Sequence, residues 1–145
     1  ISLIRAANAG CCGAVAFHLD QQAQALDAMR RNVDAWWPHI EQGVEAVVFT
    51  ASGCGTMITD YGHALAHDPA YAERAKRLSA LAVDLSTVVE KEKSQLKQLL
   101  TDKVPAETQI FHPPCSLQHG LKLKGRVEAL LAELGFKLAL VENAH

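Results

Sequence analysis

Three times along this chain a short apolar run hands over to a turn containing cysteine, and an amphipathic segment follows. The turns are Ala9-Gly10-Cys11-Cys12-Gly13, Ser52-Gly53-Cys54-Gly55-Thr56 and Pro113-Pro114-Cys115-Ser116-Leu117, and they hold all four cysteines. A strand-length apolar run, a tight turn and then a helix is the repeating unit of a parallel α/β sheet. The fold class expected is therefore α/β, a parallel sheet with helices packed on it. Such sheets collect these turns outside the carboxyl ends of their strands, where binding sites form. With 49% hydrophobic residues over 145 positions, the chain can bury a real core.

The elements follow from spacing. "ISLIRA", residues 1–6, reads as a strand leading into the first cysteine turn. Leu19, Leu26, Met29, Val33, Trp36, Trp37, Ile40 and Val44 recur at helical spacing, with Asp20 in the first turn and Gly43 as the stop. The Trp36-Trp37 pair is read as core packing. "EAVVFTA", residues 45–51, reads as a fully buried strand whose glycine-rich turn precedes a helix carrying Met57, Ile58, Tyr61 and Leu65. Pro69 suits the first turn of a helix with the stripe Tyr71, Ala75, Leu78 and Leu81, and a break is expected near Asp84. Thr87-Val88-Val89-Glu90 has the form of a capping box ahead of Leu96, Leu99 and Leu100. Residues 101–107, "TDKVPAE", read as a linker between a first half (1–100) and the start of a second (108–145). There "TQIFH" reads as a strand, a helix carries Leu117, Leu121, Val127, Leu131 and Leu134 up to Gly135, and "FKLALV" is the last strand. The chain lacks an opening methionine and its terminal runs resemble interrupted strands, so a piece of a longer protein is expected.

The adjacent cysteines pose the sharpest chemical question. Neighbouring Cα atoms lie about 3.8 Å apart, whereas a relaxed disulfide prefers roughly 5.5 Å, so Cys11 and Cys12 do not suit a bridge to each other. No signal peptide opens the chain, and four thiols in a reducing compartment serve more often as metal ligands or catalytic groups than as disulfides. Helix N-termini beside the turns are expected to lower thiol pKa. A single zinc ion is usually gripped by cysteines two to four residues apart, and an adjacent pair gives an awkward bite. A cluster with several irons spreads its ligand positions, so neighbouring thiolates can reach different irons. Spacing therefore leans toward iron and sulfur over zinc, although the close spacing of ferredoxin motifs is missing. The competing reading of each cysteine is a small buried hydrophobe.

Other classes find weaker support. A net charge of −2 gives no basic footprint for nucleic acid, and no apolar run reaches the ~20 residues of a membrane span. His63 and His67 share a helix face, and His112, Cys115 and His119 could form part of a zinc site. His18 near Cys12 could suggest a cysteine–histidine nucleophile, but no orienting group or oxyanion hole is marked. "SGCGT" could cradle a phosphate but lacks the Lys-Ser/Thr of a P-loop.

"GCCGAVAFHL", "TASGCGTMITDYGHAL" and "FHPPCSLQHGLKLKGRVEALLAELGF" resemble the cysteine-rich CCG domains of glycolate oxidase iron–sulfur subunits. More distant kin are heterodisulfide reductase B subunits, lactate-utilisation proteins and an anaerobic glycerol-3-phosphate dehydrogenase subunit. The resemblance implies two similar α/β cysteine-rich halves, each offering an opening cysteine, then CC-Gly, then a later Gly-Cys. Cys11 and Cys12 match the CC pair of the first half, Cys54 its later cysteine, and Cys115 the opening cysteine of the second half. The first half's opening cysteine would precede Ile1, and the second CC-Gly would follow His145. All four cysteines are thereby implied as ligands of an iron–sulfur cluster, of the 4Fe-4S type, with no catalytic residue on this chain. Implied partners are a flavoprotein subunit carrying FAD, other iron–sulfur modules of the same full-length chain and, indirectly, the quinone pool. The implied role is electron transfer in oxidising glycolate to glyoxylate, in the cytoplasm or against the inner face of the bacterial inner membrane. The alternatives carried beside it are a zinc-bound or metal-free docking domain, and a catalytic subunit of the heterodisulfide-reductase kind.

Overall fold

The first unit is organised by one long helix, because apolar positions repeat along it at intervals that keep them on one face. The computed structural model describes residues 1–139, which divide into two compact units, Ile1–Val83 and a second beginning at Asp84. After a short helix α1 (Ala14–His18), the long helix α2 runs from Gln22 to Glu41. Ala25, Met29, Asn32, Val33 and Ile40 form its buried face. Gly43 takes φ +91 just beyond it, the left-handed turn expected of the stop. Strand β1 (Val47–Phe49), α3 (Ser52–Thr59), α4 (Tyr61–Ala64), α5 (Ala72–Leu81) and β2 (Ala82–Asp84) follow. β1 and β2 pair in a two-stranded sheet. α2 packs on α1 and α5, and α3 packs on α1, α4, α5 and β1. Tyr61, Met29, Ile40, Leu65, Leu78 and Val33 are fully buried between them. Each such aliphatic side chain contributes about 1.5–3 kcal/mol of burial free energy.

The second unit contains α6 (Leu85–Lys91), α7 (Lys93–Leu99), β3 (Gln109–Ile110), a π-helical turn (Ser116–Gly120), α8 (Arg126–Glu133) and β4 (Leu138–Ala139). β3 and β4 are parallel, with Gln109 opposite Leu138 and Ile110 opposite Ala139. Leu117, Leu123, Leu130 and Leu134 are buried. Lys93 pairs with Glu133 at 2.6 Å, and Arg126 with Glu90. Gly135 ends α8 at φ +99, as expected. Residues 140–145, which include the end of the expected last strand, lie outside the described residues.

The mixed α/β class holds, with helices dominating and strands of two or three residues. Several local expectations are corrected. Residues 1–6 form no strand: Ile1, Leu3 and Ile4 are exposed, and a strand without a partner for its N–H and C=O groups gains nothing over coil. Asp20 stands ahead of α2 at φ 59, so Gln21 rather than the acid is the boundary residue. Val48 is exposed, so β1 is not buried on both faces. Asp84, not Thr87, caps α6, its side chain accepting the Ser86 N–H at 2.9 Å. The long helix expected after Cys115 is instead the π-helical turn and α8, separated by Gly125 at φ +75. Among the described residues no helix is long and apolar enough to cross a membrane.

Two contacts yield tests of this packing. Gly55 lies against the buried Phe49 ring, where an added Cβ would stand 2.0 Å from Cε2. Gly55→Ala should destabilise the first unit by about 1–3 kcal/mol, the usual cost of forced overpacking. A thermal melt unchanged by the substitution would show that the ring yields freely. The second contact joins Arg30 to Asp68 at 2.8 Å, tying α2 to the turn ahead of α5. The Arg30 guanidinium holds the Asp68 carboxyl below its ordinary range. Stability from this pair is thus present at neutral pH and lost as pH falls through the depressed pKa. Asp68→Asn should lower the neutral melting temperature, with the difference from the parent vanishing in acid.

Candidate cysteine centre

The turn that carries Cys11 and Cys12 lies outside any helix or strand, yet side chains from two helices fix it. Gly13 takes φ +89 and its Cα approaches α2 so closely that a Cβ would sit 2.9 Å from the Ala25 carbonyl. Only glycine meets both demands. One residue earlier the Cys12 side chain is buried, whereas Cys11 is exposed. From α2, Asn32 accepts the Gly10 N–H on Oδ1 at 2.8 Å and donates Nδ2 to the Cys11 carbonyl at 3.0 Å. The same Nδ2 donates to the Tyr61 hydroxyl at 3.0 Å, and that hydroxyl donates to the Cys12 carbonyl at 2.8 Å. Arg31 lies against Gly10, with its guanidinium about the Cys11 carbonyl at 3.5 Å.

Cys54 is carried by α3. It is the third residue of α3, so "SGCGT" is the first turn of a helix and not a loop ahead of one. Gly55 allows α3 to press on Phe49 of β1, which sets the position of that turn. The Cys54 thiol is exposed and stands within hydrogen-bonding reach of Cys12. Burial, first of all, pushes the Cys12 thiol up to about 11, against a hydrogen bond from the Ala14 backbone. Cys54 and Cys11 raise it further. Lowered thiol pKa values were the expectation from nearby helix N-termini. At Cys12 the order is reversed, because desolvation of the thiolate and the neighbouring sulfurs outweigh the dipole. Tyr61 is likewise raised, chiefly by burial, while its hydrogen bond from Asn32 opposes the rise.

The structure therefore brings together Cys11, Cys12 and Cys54 in the first unit. Cys115 belongs to the second unit, exposed at the start of the π-helical turn. There the buried Gln118 donates Nε2 to the Pro113 carbonyl at 2.9 Å. The other candidates do not assemble. Among the described residues no three His, Cys, Asp or Glu side chains gather tightly enough to hold one metal ion. No such group forms around His63 and His67 or around His112, Cys115 and His119. His18 is exposed at the end of α1.

Asn32 and the Tyr61 hydroxyl were missed in the sequence. Asn32 stands three residues after Met29 and seven after Ala25, so a polar residue in the register of the apolar face was the available signal. Tyr61 was read for its ring alone. Three soft sulfur donors, with Cys54 within reach of Cys12 and Cys11 nearby, have the ligand chemistry of an iron–sulfur or zinc centre.

In metal-free protein, iodoacetamide should modify Cys11, Cys54 and Cys115 well before Cys12, read by peptide mass spectrometry over time. Equal rates at all four would contradict the burial of Cys12.

Comparison with known proteins adds family context to this geometry. Residues 1–59 match the family CCG, a cysteine-rich domain. Over 145 residues the chain is 47% identical to a glycolate oxidase iron-sulfur subunit of Escherichia coli, covering 100% of this chain and 35% of that protein. A probable glycolate oxidase iron-sulfur subunit of Bacillus subtilis is 33% identical over 79 residues, 54% of this chain and 17% of that protein. Lactate utilization protein A of Geobacillus thermodenitrificans is 28% identical over 142 residues, 93% of this chain and 54% of that protein. The chain thus spans only part of the length of each. No solved structure matches it.

Proposed function

We propose, from the match of residues 1–59 to the cysteine-rich CCG domain family, that the first unit holds an iron–sulfur cluster on Cys11, Cys12 and Cys54 and serves electron transfer. The convergence of these three thiols, one buried and two exposed, carries the reading. A bound cluster supplies reversible one-electron storage at a potential set by burial and by hydrogen bonds to its sulfurs. Cys12 is sheltered, so water is kept from one side of the donor set. Cys11 and Cys54 keep the other side open to an electron donor or acceptor. Burial keeps a proton on the Cys12 thiol until a metal displaces it, so ligation there releases that proton.

A 4Fe-4S cluster takes four protein ligands, and in this reading the fourth precedes Ile1. Cys115 is then the opening ligand of a second, similar half. Names borne by the relatives support the wider context, an oxidoreductase of the glycolate or lactate type. We place the chain in an electron-transfer subunit of a 2-hydroxy-acid dehydrogenase, glycolate being the favoured substrate. A flavoprotein partner carrying FAD would take the hydride, and other iron–sulfur modules of the full-length chain would relay electrons toward quinone. The setting proposed is cytoplasmic, against the inner face of the membrane.

The test is iron and acid-labile sulfide per chain after anaerobic purification, with EPR before and after dithionite. It is run on this chain and on a form extended past Ile1 and His145. Iron with sulfide and an EPR signal that changes on reduction are expected in the extended form. Zinc, or no metal in either form, overturns the reading. Cys12→Ser and Cys54→Ser should each remove most of the bound iron from the extended form, and unchanged iron in both variants would strike these residues from the ligand set.

A further inference from the structure

The first cysteine turn is made of residues that cannot fix their own conformation: glycines at 10 and 13 flank two small side chains. Its polar backbone could have faced water at no cost. Instead, a carboxamide with 0% exposure and a phenol with 0% exposure are directed at three of its backbone groups. Burying such groups is unfavourable unless their hydrogen bonds are made. Asn32 meets that condition by using Oδ1 once and Nδ2 twice, and the Tyr61 hydroxyl by donating once and accepting once. The Gly10 N–H and the carbonyls of Cys11 and Cys12 are thereby cross-braced to α2 and α4.

The second unit has a parallel feature. Gln118, also buried, ties down the Pro113 carbonyl two residues ahead of Cys115. Asn32 and Gln118 are the buried polar side chains among the described residues, and each braces the backbone of a cysteine turn. A core that needed only cohesion would fill these positions with leucine.

We propose that Asn32 and Tyr61 are positioning residues for the adjacent cysteines, holding the Gly10–Cys12 backbone so that Cys12 points inward toward Cys54 and Cys11 points outward. As a statement about cluster ligation this rests on the reading of the three thiols as ligands. As a statement about where the thiols point, it stands without metal. Both side chains hold the turn through hydrogen bonds to its backbone, so their removal disturbs aim before it disturbs the fold. Partners of this kind, one step behind the ligands, typically change metal affinity about 10- to 100-fold.

Tyr61→Phe keeps the ring and removes the donor to the Cys12 carbonyl. Asn32→Asp keeps the size and the acceptor for Gly10, but sets a carboxylate oxygen against the Cys11 carbonyl. Ser79→Ala is the control: its hydroxyl accepts from the Gly62 N–H and donates to the Ile58 carbonyl, away from the cysteine turn. In metal-free protein, the rate of Cys12 alkylation by iodoacetamide is divided by that of Cys54 in the same sample. In the extended form reconstituted with ferrous iron and sulfide, iron per chain and the midpoint potential are measured, with a thermal melt for every variant. Tyr61→Phe and Asn32→Asp should raise the alkylation ratio severalfold, weaken iron retention by about 10- to 100-fold and shift the potential. Ser79→Ala should lower the melting temperature and leave ratio, iron and potential at parental values. Ratio and potential unchanged in Tyr61→Phe and Asn32→Asp, or moved equally by Ser79→Ala, would overturn the proposal. A parent that takes up no iron while the ratio still separates the variants would overturn the ligand reading and uphold the positioning role.

Discussion

A carboxamide buried inside a protein must find partners for its oxygen and both its N–H groups, and that requirement at Asn32 organises the first unit. Its position on α2 is set by helical spacing, its burial by Met29, Val33 and the face they share. Its bonds then determine where Gly10, Cys11 and Tyr61 can be. Tyr61 in turn is fully buried at the start of α4, which packs against α5. The packing of the unit and the placement of its thiols are thus not separable. A shift of α2 along its axis would move the cysteine turn with it.

The same burial sets the chemistry of the sulfurs. A helix N-terminus near a thiol favours the thiolate, but burial of the thiolate outweighs that help where solvation is lost. Cys12 has lost that solvent and has two further sulfurs beside it. Its free thiol therefore stays protonated at neutral pH, an inert state until a cation replaces the proton. Cys11, one residue away, shares the backbone and not the environment, because consecutive side chains on an extended turn leave in different directions.

Much of this was legible in the sequence. Periodicity identified α2 and its stop at Gly43, since a 20-residue pattern averages out local exceptions. Glycine beside cysteine identified the first turn, whereas the Gly53-Cys54-Gly55 stretch lies inside α3. Strands fared worse: β-propensity reflects fit to a pleated, half-buried surface, and residues 1–6 have no such surface to meet. The cap of α6 was misplaced because two acceptor residues, Asp84 and Thr87, compete within one turn, and the tertiary position of β2 decides between them. Asn32 escaped notice because a list of apolar residues passes over a polar one in the same register. Which cysteines come together was not in the spacing at all, since 42 positions separate Cys12 from Cys54 and only folding closes that distance.

The neighbouring thiols of Cys11 and Cys12 face opposite worlds, one the interior and one the solvent. A centre built on such a pair has a front and a back. Small oxidants, electron carriers and chelators would meet the Cys11 and Cys54 side of such a centre first, while the Cys12 side would answer only to the protein's own breathing. Damage and repair would then proceed in sequence, from the open edge inward, with Cys12 the last contact to be surrendered and the first to need the fold intact.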